Sequence, residues 1–497
     1  MREKLYSIMF SAKSNDEDDV LRGLLTNERR RRWKFTVEIP MFVLLFSFSL
    51  TDSATYNLLL YRTCTVDLNH NVTDCLLLKS PNKTDEVQAI ENEVEMETTK
   101  LVMTLAILSG ITPAILSLFL GPWSEMYGRK PLLLWPLFGQ MISSTMLLLF
   151  CDLTLLSSWW YIACALPFTL LGGGSTFGLG AYLLVADVTT EENRSIRLAI
   201  LQGCNFVGVL AGTLASNYIY YGMGPVFLFT MSAALYLFTF YYIVYFVEES
   251  LKTPRIPDAK SAFSLSLPKQ MIDIIRKHRP HKISIILSLV IFAYGTTIFC
   301  VSGVNNVDYL FTRETFRWIL QEYNDFSAVN TTIVVIGMLF GIFFLQSYLK
   351  ISDGVLLFLS YLSTMSEATV KSISQESWQL YFGASLAFLG GLQLPLIKSQ
   401  ISKIVPKSEV STMYSVLSCV EAIVPVFSPM LFSTTYFSTL TTFPGTVYIV
   451  SASLYAMCLV LILVAQAIIY KIPRGFDPNT SYISLDEQKE EAQVSNM

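Results

Sequence analysis

Apolar and polar positions along this chain sort into whole segments. Predominantly apolar stretches recur at 37–61, 101–122, 131–151, 158–186, 196–219 and 224–247. Six more follow at 283–305, 327–349, 353–373, 379–399, 410–433 and 444–470. Each holds about 20 or more residues, enough for a helix to cross a hydrocarbon layer of about 30 Å. The pattern predicts an all-α membrane protein with twelve transmembrane helices in two six-helix halves, 37–247 and 283–470. Polar sequence fills a tail at 1–36, a loop at 62–99, a linker at 248–282 and a second tail from 471 to 497.

Charge placement orients this layout. Arg29, Arg30, Arg31, Arg32 and Lys34 precede the first span, and such clusters stay in the cytosol. A basic run beside a span reads as a topology signal, not as a nucleic-acid site. The linker carries eight Lys and Arg residues, from Lys252 to Lys282, so it too is expected in the cytosol, as are both termini. The 62–99 loop is acidic and carries the sequons at Asn71 and Asn82. It reads as extracellular or luminal and glycosylated. Cys64 and Cys75 share that loop; they can bridge each other, or either can pair with a distant cysteine. The polar first 35 residues predict no cleavable signal peptide, so the first span serves as its own targeting signal.

Composition agrees: 52% of residues are hydrophobic and only 15% charged, where soluble domains average about a quarter charged. The three histidines fall in loops or at a span edge, and no P-loop, zinc pattern or nucleophile elbow is present. Neither an enzyme, a metal site nor a cofactor is expected.

The sharpest motif is Gly121-Pro122-Trp123-Ser124-Glu125-Met126-Tyr127-Gly128-Arg129-Lys130-Pro131, between the second and third spans. It resembles the major facilitator signature G-x-x-x-D-x-x-G-R-[RK], with Glu125 in place of Asp. Gly121 suits close helix approach and Gly128 a tight turn. Glu125 is expected to pair with an arginine and receive a helix N-terminus, and Arg129 and Lys130 to anchor the loop. The corresponding place in the second half, Lys350-Ile351-Ser352-Asp353-Gly354, is degenerate. In span four, Gly172, Gly173 and Gly174 read either as packing residues or as a flexing point.

Ionisable residues within spans are costly and mark function by default. Asp52, Asp187, Lys398 and Glu421 are the candidates. Asp187 alternatively reads as an interfacial cap. Lys398 either attracts an anion or snorkels to the interface. Asp52 and Glu421 suit proton uptake and release. Glu367 and Lys371, four residues apart, read as a helix-face pair.

Further segments resemble the proton-coupled folate transporter family, solute carrier family 46. They are Val185-Ala186-Asp187-Val188, Glu192-Asn193-Arg194-Ser195-Ile196-Arg197, Tyr309-Leu310-Phe311-Thr312-Arg313 and Lys398-Ser399-Gln400-Ile401-Ser402-Lys403-Ile404-Val405. With the motif and the first loop, the resemblance spans most of 37–470, and it suggests a divergent, invertebrate member. It implies proton-coupled movement of a small organic anion, folate-like, nucleotide-like or a conjugate, across a plasma or endolysosomal membrane. Asp187, Arg197 and Lys398 match functional positions of the folate transporter. Gln202 stands where that relative has a glutamate in span five, and Asn305 where it has a histidine in span seven; neither titrates near neutral pH. A proton-independent facilitator or exchanger, or a non-transporting receptor on the same fold, remain the alternatives. The tail segment Tyr482-Ile483-Ser484-Leu485 fits a tyrosine-based sorting signal.

Overall fold

The computed structural model describes residues 37–77, 85–251, 282–318, 320–440 and 442–471, with Lys269, Asp273 and Arg279. Both tails, nearly all of the linker, the basic run at 29–34, Asn82 and the 482–485 segment lie outside the described residues.

A backbone in lipid must satisfy its own hydrogen bonds, which a helix does within one segment. The described regular elements are all helical. In the first half they are α1 (Glu38–Arg62), α2 (Asp85–Tyr127), α3 (Lys130–Asp152), α4 in two segments (Tyr161–Leu170 and Gly173–Val188), α5 (Glu191–Met223) and α6 (Pro225–Phe246). In the second they are α7 (Ile283–Phe316), α8 (Leu320–Phe340, continued by a π-helical stretch), α9 (Asp353–Ile373), α10 (Ser377–Leu386 and Gln393–Ile404), α11 (Lys407–Thr439) and α12 (Thr446–Tyr470).

Among the described residues, eleven helices are long and apolar enough to cross a membrane. The twelfth, α9, falls short in composition because it carries Asp353, Glu367 and Lys371. The last two do form an ion pair at 2.8 Å. They do not lie on an open helix face, however: Lys371 is 4% exposed and sits over the rings of Phe326 and Tyr448.

Two expectations change. Helix α2 begins at Asp85, well inside the expected 62–99 loop. Strong helix formers (Glu, Gln, Ala, Met) dominate this stretch, and Val94 packs it onto Cys64 and Cys75. Those two cysteines form a disulfide. Span four is not continuous. It breaks at Gly172 and Gly173, whose φ values are 109° and 59°. Helix α10 breaks in the corresponding place of the second half, through a 3₁₀ stretch at Ala387–Leu392 containing Gly390 and Gly391.

Within the first half, α1 packs on α5 and α6, and α3 on α4 and α6. In the second, α7 packs on α11 and α12, and α9 on α12. The halves meet through α2 against α11, α5 against α8 and α10, and α4 against α11. The end of the bundle that carries residues 121–131 is called the motif end below.

Candidate transport site

At the motif end, Gly121 allows α2 and α11 to touch: a Cβ there would sit 1.4 Å from Ser415 Oγ. The chain then turns at Gly128, whose φ of 107° disfavours any side chain. This turn delivers Arg129 to the start of α3. Its guanidinium donates to Asp187 of α4 at 3.1 Å, to Ser411 of α11 at 2.7 Å and to Ser124 of α2. Glu249, just past α6, accepts the backbone N–H groups of Arg129 and Lys130 at 2.8 and 2.9 Å. Lys130 Nζ donates to the Val244 carbonyl of α6 at 2.7 Å.

These contacts correct the expectation for Glu125. The arginine pairs with Asp187, and Glu249 receives the helix N-terminus. Glu125 lies beside Arg129 and Ser411, and its buried Oε1 has no hydrogen-bond partner. Asp187 is thus more than an interfacial cap, since it holds Arg129 and also accepts from Ser250 at 2.9 Å.

The degenerate 350–354 segment does comparable work. Asp353 opens α9 and accepts Lys403 Nζ of α10 at 2.6 Å, Ser195 Oγ of α5 at 2.7 Å and Gln346 Nε2 at 2.7 Å. Beside it, Arg194 of α5 donates to the Ser402 carbonyl at 3.0 Å. Together these contacts seal the halves against each other at the motif end.

Deeper in the bundle, five helices converge on one buried charge pair. Lys398 of α10 and Glu421 of α11 meet at 2.8 Å. Tyr294 of α7 donates to the same carboxylate oxygen. Tyr182 of α4 lays its ring 3.3 Å from the Lys398 ammonium and donates its hydroxyl to Gln202 of α5. Tyr294 and Gln202 each lie eleven residues into their helices, about 16 Å from the motif end at 1.5 Å per residue. The lysine side chain is 4% exposed and the glutamate 24%, so Lys398 does not snorkel and the acid is the accessible partner. Two charges so far from water cost several kcal/mol each unless paired. An incoming anion would compete with Glu421 for the same lysine.

The remaining expected residues fall elsewhere. Arg197 binds Glu38 at the start of α1, at 2.7 Å. Asn305 is exposed on α7 and does not join the Lys398 cluster. Asp52 lines a separate recess in the first half. Asn71 is exposed at the far end from the motif. Sequence reasoning missed Tyr182, Tyr294, Glu38 and Glu249. The chain has 25 tyrosines, so residue type singles out neither of the two that matter. The two glutamates lie at span ends, where an acid is unremarkable in a linear reading.

Residues 41–364 match the model of the Major Facilitator Superfamily. A probable peptidoglycan muropeptide transporter, SLC46, of Drosophila melanogaster is 27% identical, over 86% of this chain and 85% of its own length. The proton-coupled folate transporter of Rattus norvegicus is 23% identical over 76% of this chain and 81% of its own. Among solved structures, the human organic anion transporter MFSD10 superposes with a TM-score of 0.66 at 15% identity, covering 87% of this chain and 99% of that one. The Escherichia coli fucose:proton symporter FucP does so with 0.59 at 14% identity, covering 87% and 98%. A family of transporters, not of enzymes, accounts for the motif and the two halves together: this chain belongs to the major facilitator superfamily, and its relatives there include solute carrier 46 transporters.

Proposed function

We propose that this protein moves a small organic anion together with a proton, by alternating access, through the Lys398–Glu421 site. The observation that carries the reading is the pair itself, buried between the halves and joined by tyrosines from both sides. In the empty carrier, Lys398 is neutralised by Glu421. A proton on Glu421 releases the lysine, and a substrate carboxylate, phosphate or sulfate takes its place. Both forms keep the buried charge balanced, so both can pass through the occluded state without an unpaired ion. Anion without proton would leave a second negative charge in the site, which couples the two. Gln202 holds Tyr182 in position and takes no proton.

The motif end faces the cytosol in this reading, as the basic run before α1 suggests. The disulfide-bonded end with Asn71, glycosylated, faces outside or the lumen. The membrane is the plasma or an endolysosomal one; a Gallus gallus relative, 22% identical, is named a lysosomal proton-coupled steroid conjugate and bile acid symporter, which favours the second. An exchanger without proton coupling draws support from Gln202 and Asn305, which do not titrate.

Uptake of labelled organic anions into vesicles holding the full chain, with and without an inward proton gradient, tests this. Accumulation should need the gradient. Glu421→Gln should lose that dependence yet keep exchange of labelled for unlabelled anion. Unchanged pH dependence in this variant would remove Glu421 as the proton carrier.

A further inference from the structure

We infer that Asp52 anchors a second subsite, which takes an organic ammonium group, so that the cargo carries a cationic as well as an anionic end. The inference rests on the transport reading above and deepens it. Asp52 lines a recess of about 320 Å³ built from α1, α2, α3, α4 and α6, all in the first half. That size is at the low end for small-molecule sites, about 300–1,000 Å³.

Among the described residues, Asp52 is the only charged one in the wall. It makes no ion pair and no hydrogen bond among the described residues. Asp52 is exposed to this recess, so its carboxylate is open to a counter-charge brought in from outside the protein. The remaining wall is mixed: Phe48, Tyr161 and Phe229 contribute rings, and uncharged hydroxyl and amide side chains such as Thr55, Gln140 and Ser144 lie between them. Ring faces and a carboxylate together favour an ammonium, through cation–π attraction and a charged hydrogen bond. A second group awaits a partner. The Tyr236 hydroxyl, in a side chain 1% exposed, lines the same recess and has no hydrogen bond of full geometry, although Thr51, Gln140 and Ser232 lie around it. A primary ammonium has three N–H donors, enough for Asp52, Tyr236 Oη and the Gln140 carbonyl. A small hard metal ion is held mainly by carboxylates, and among the described residues this wall carries just one, in no cluster of metal-ligating side chains.

Purified full-length protein is tested with n-butylammonium chloride, with n-butanol and sodium butyrate as controls. Butylammonium should raise the melting temperature of the wild type and of Asp52→Glu, and n-butanol should not. In Asp52→Asn its apparent affinity should fall at least about tenfold. Tyr236→Phe, which keeps the ring and the fold, should weaken it several-fold. In vesicles, butylammonium should inhibit anion uptake by the wild type and spare Asp52→Asn. Equal stabilisation by butanol and butylammonium, or an unchanged response in both variants, overturns the subsite. So does a shifted pH profile in Asp52→Asn with no change in the ammonium response. If wild-type vesicles take up no anion, the transport reading fails, while the melting data still decide the subsite.

Discussion

The two clasps at the motif end use the same geometry with opposite charges. In the first half, a base opens α3 and an acid closes α4: Arg129 binds Asp187. In the second half, an acid opens α9 and a base closes α10: Asp353 binds Lys403. A helix N-terminus carries about half a positive charge and a C-terminus the reverse. The first clasp is therefore built against both helix dipoles, and the second with them. This explains why the first needs Glu249. Its carboxylate covers two amides at the start of α3 and cancels the positive end on which Arg129 sits. Asp353 meets the corresponding need in α9 by itself, from the first turn. The arrangement against the dipoles should be the one more sensitive to loss of a single member, because it depends on Glu249 as well as on its own pair.

Arg129→Ala should break the comparison most severely. Removing one member of a buried pair costs about 3–5 kcal/mol, and Asp187 is a third exposed, so about 2 kcal/mol is expected. That is roughly a thirtyfold loss of the sealed form. Hydrogen exchange at the start of α3 and the initial anion uptake rate would both report it. A loss under threefold would show that the serines alone hold the seal.

Glu249→Gln tests the explanation directly. Glutamine keeps an acceptor for the amides and loses the charge. About 1 kcal/mol should go, seen as roughly fivefold faster exchange of the Arg129 and Lys130 amides. Unchanged exchange would mean that the dipole argument does not account for Glu249.

Much of this could be read from the sequence, for a physical reason. Long apolar segments and a Gly-rich basic turn are local patterns, so the spans and the 121–131 turn stand out. The acids inside spans stand out as well, since lipid makes them costly. Partners are a different matter. Asp353 looked like the remnant of a decayed motif because its work depends on Lys403, 50 residues away, and on Ser195 in the other half. Glu125 looked like the hub because it occupies the signature's acidic position, while Arg129 reaches across to Asp187 instead. Tyr182 and Tyr294 read as two more aromatic residues in a membrane until the fold places both against Lys398 and Glu421.

Asp353→Asn should have the smallest effect, and its smallness is the point. Asparagine still accepts from Ser195 and Gln346, so the link between α5 and α9 survives. Lys403 is 28% exposed and can turn to water when its partner loses charge. The lysine also remains favourably placed at the C-terminal end of α10, and only the acid's gain at the start of α9 is lost. The cost should be about 0.5 kcal/mol, or roughly a twofold slower uptake. If Asp353→Asn instead matched Arg129→Ala, the two clasps would be equally sensitive, and the sign of the helix dipole would not decide which half of the seal depends more on a single side chain.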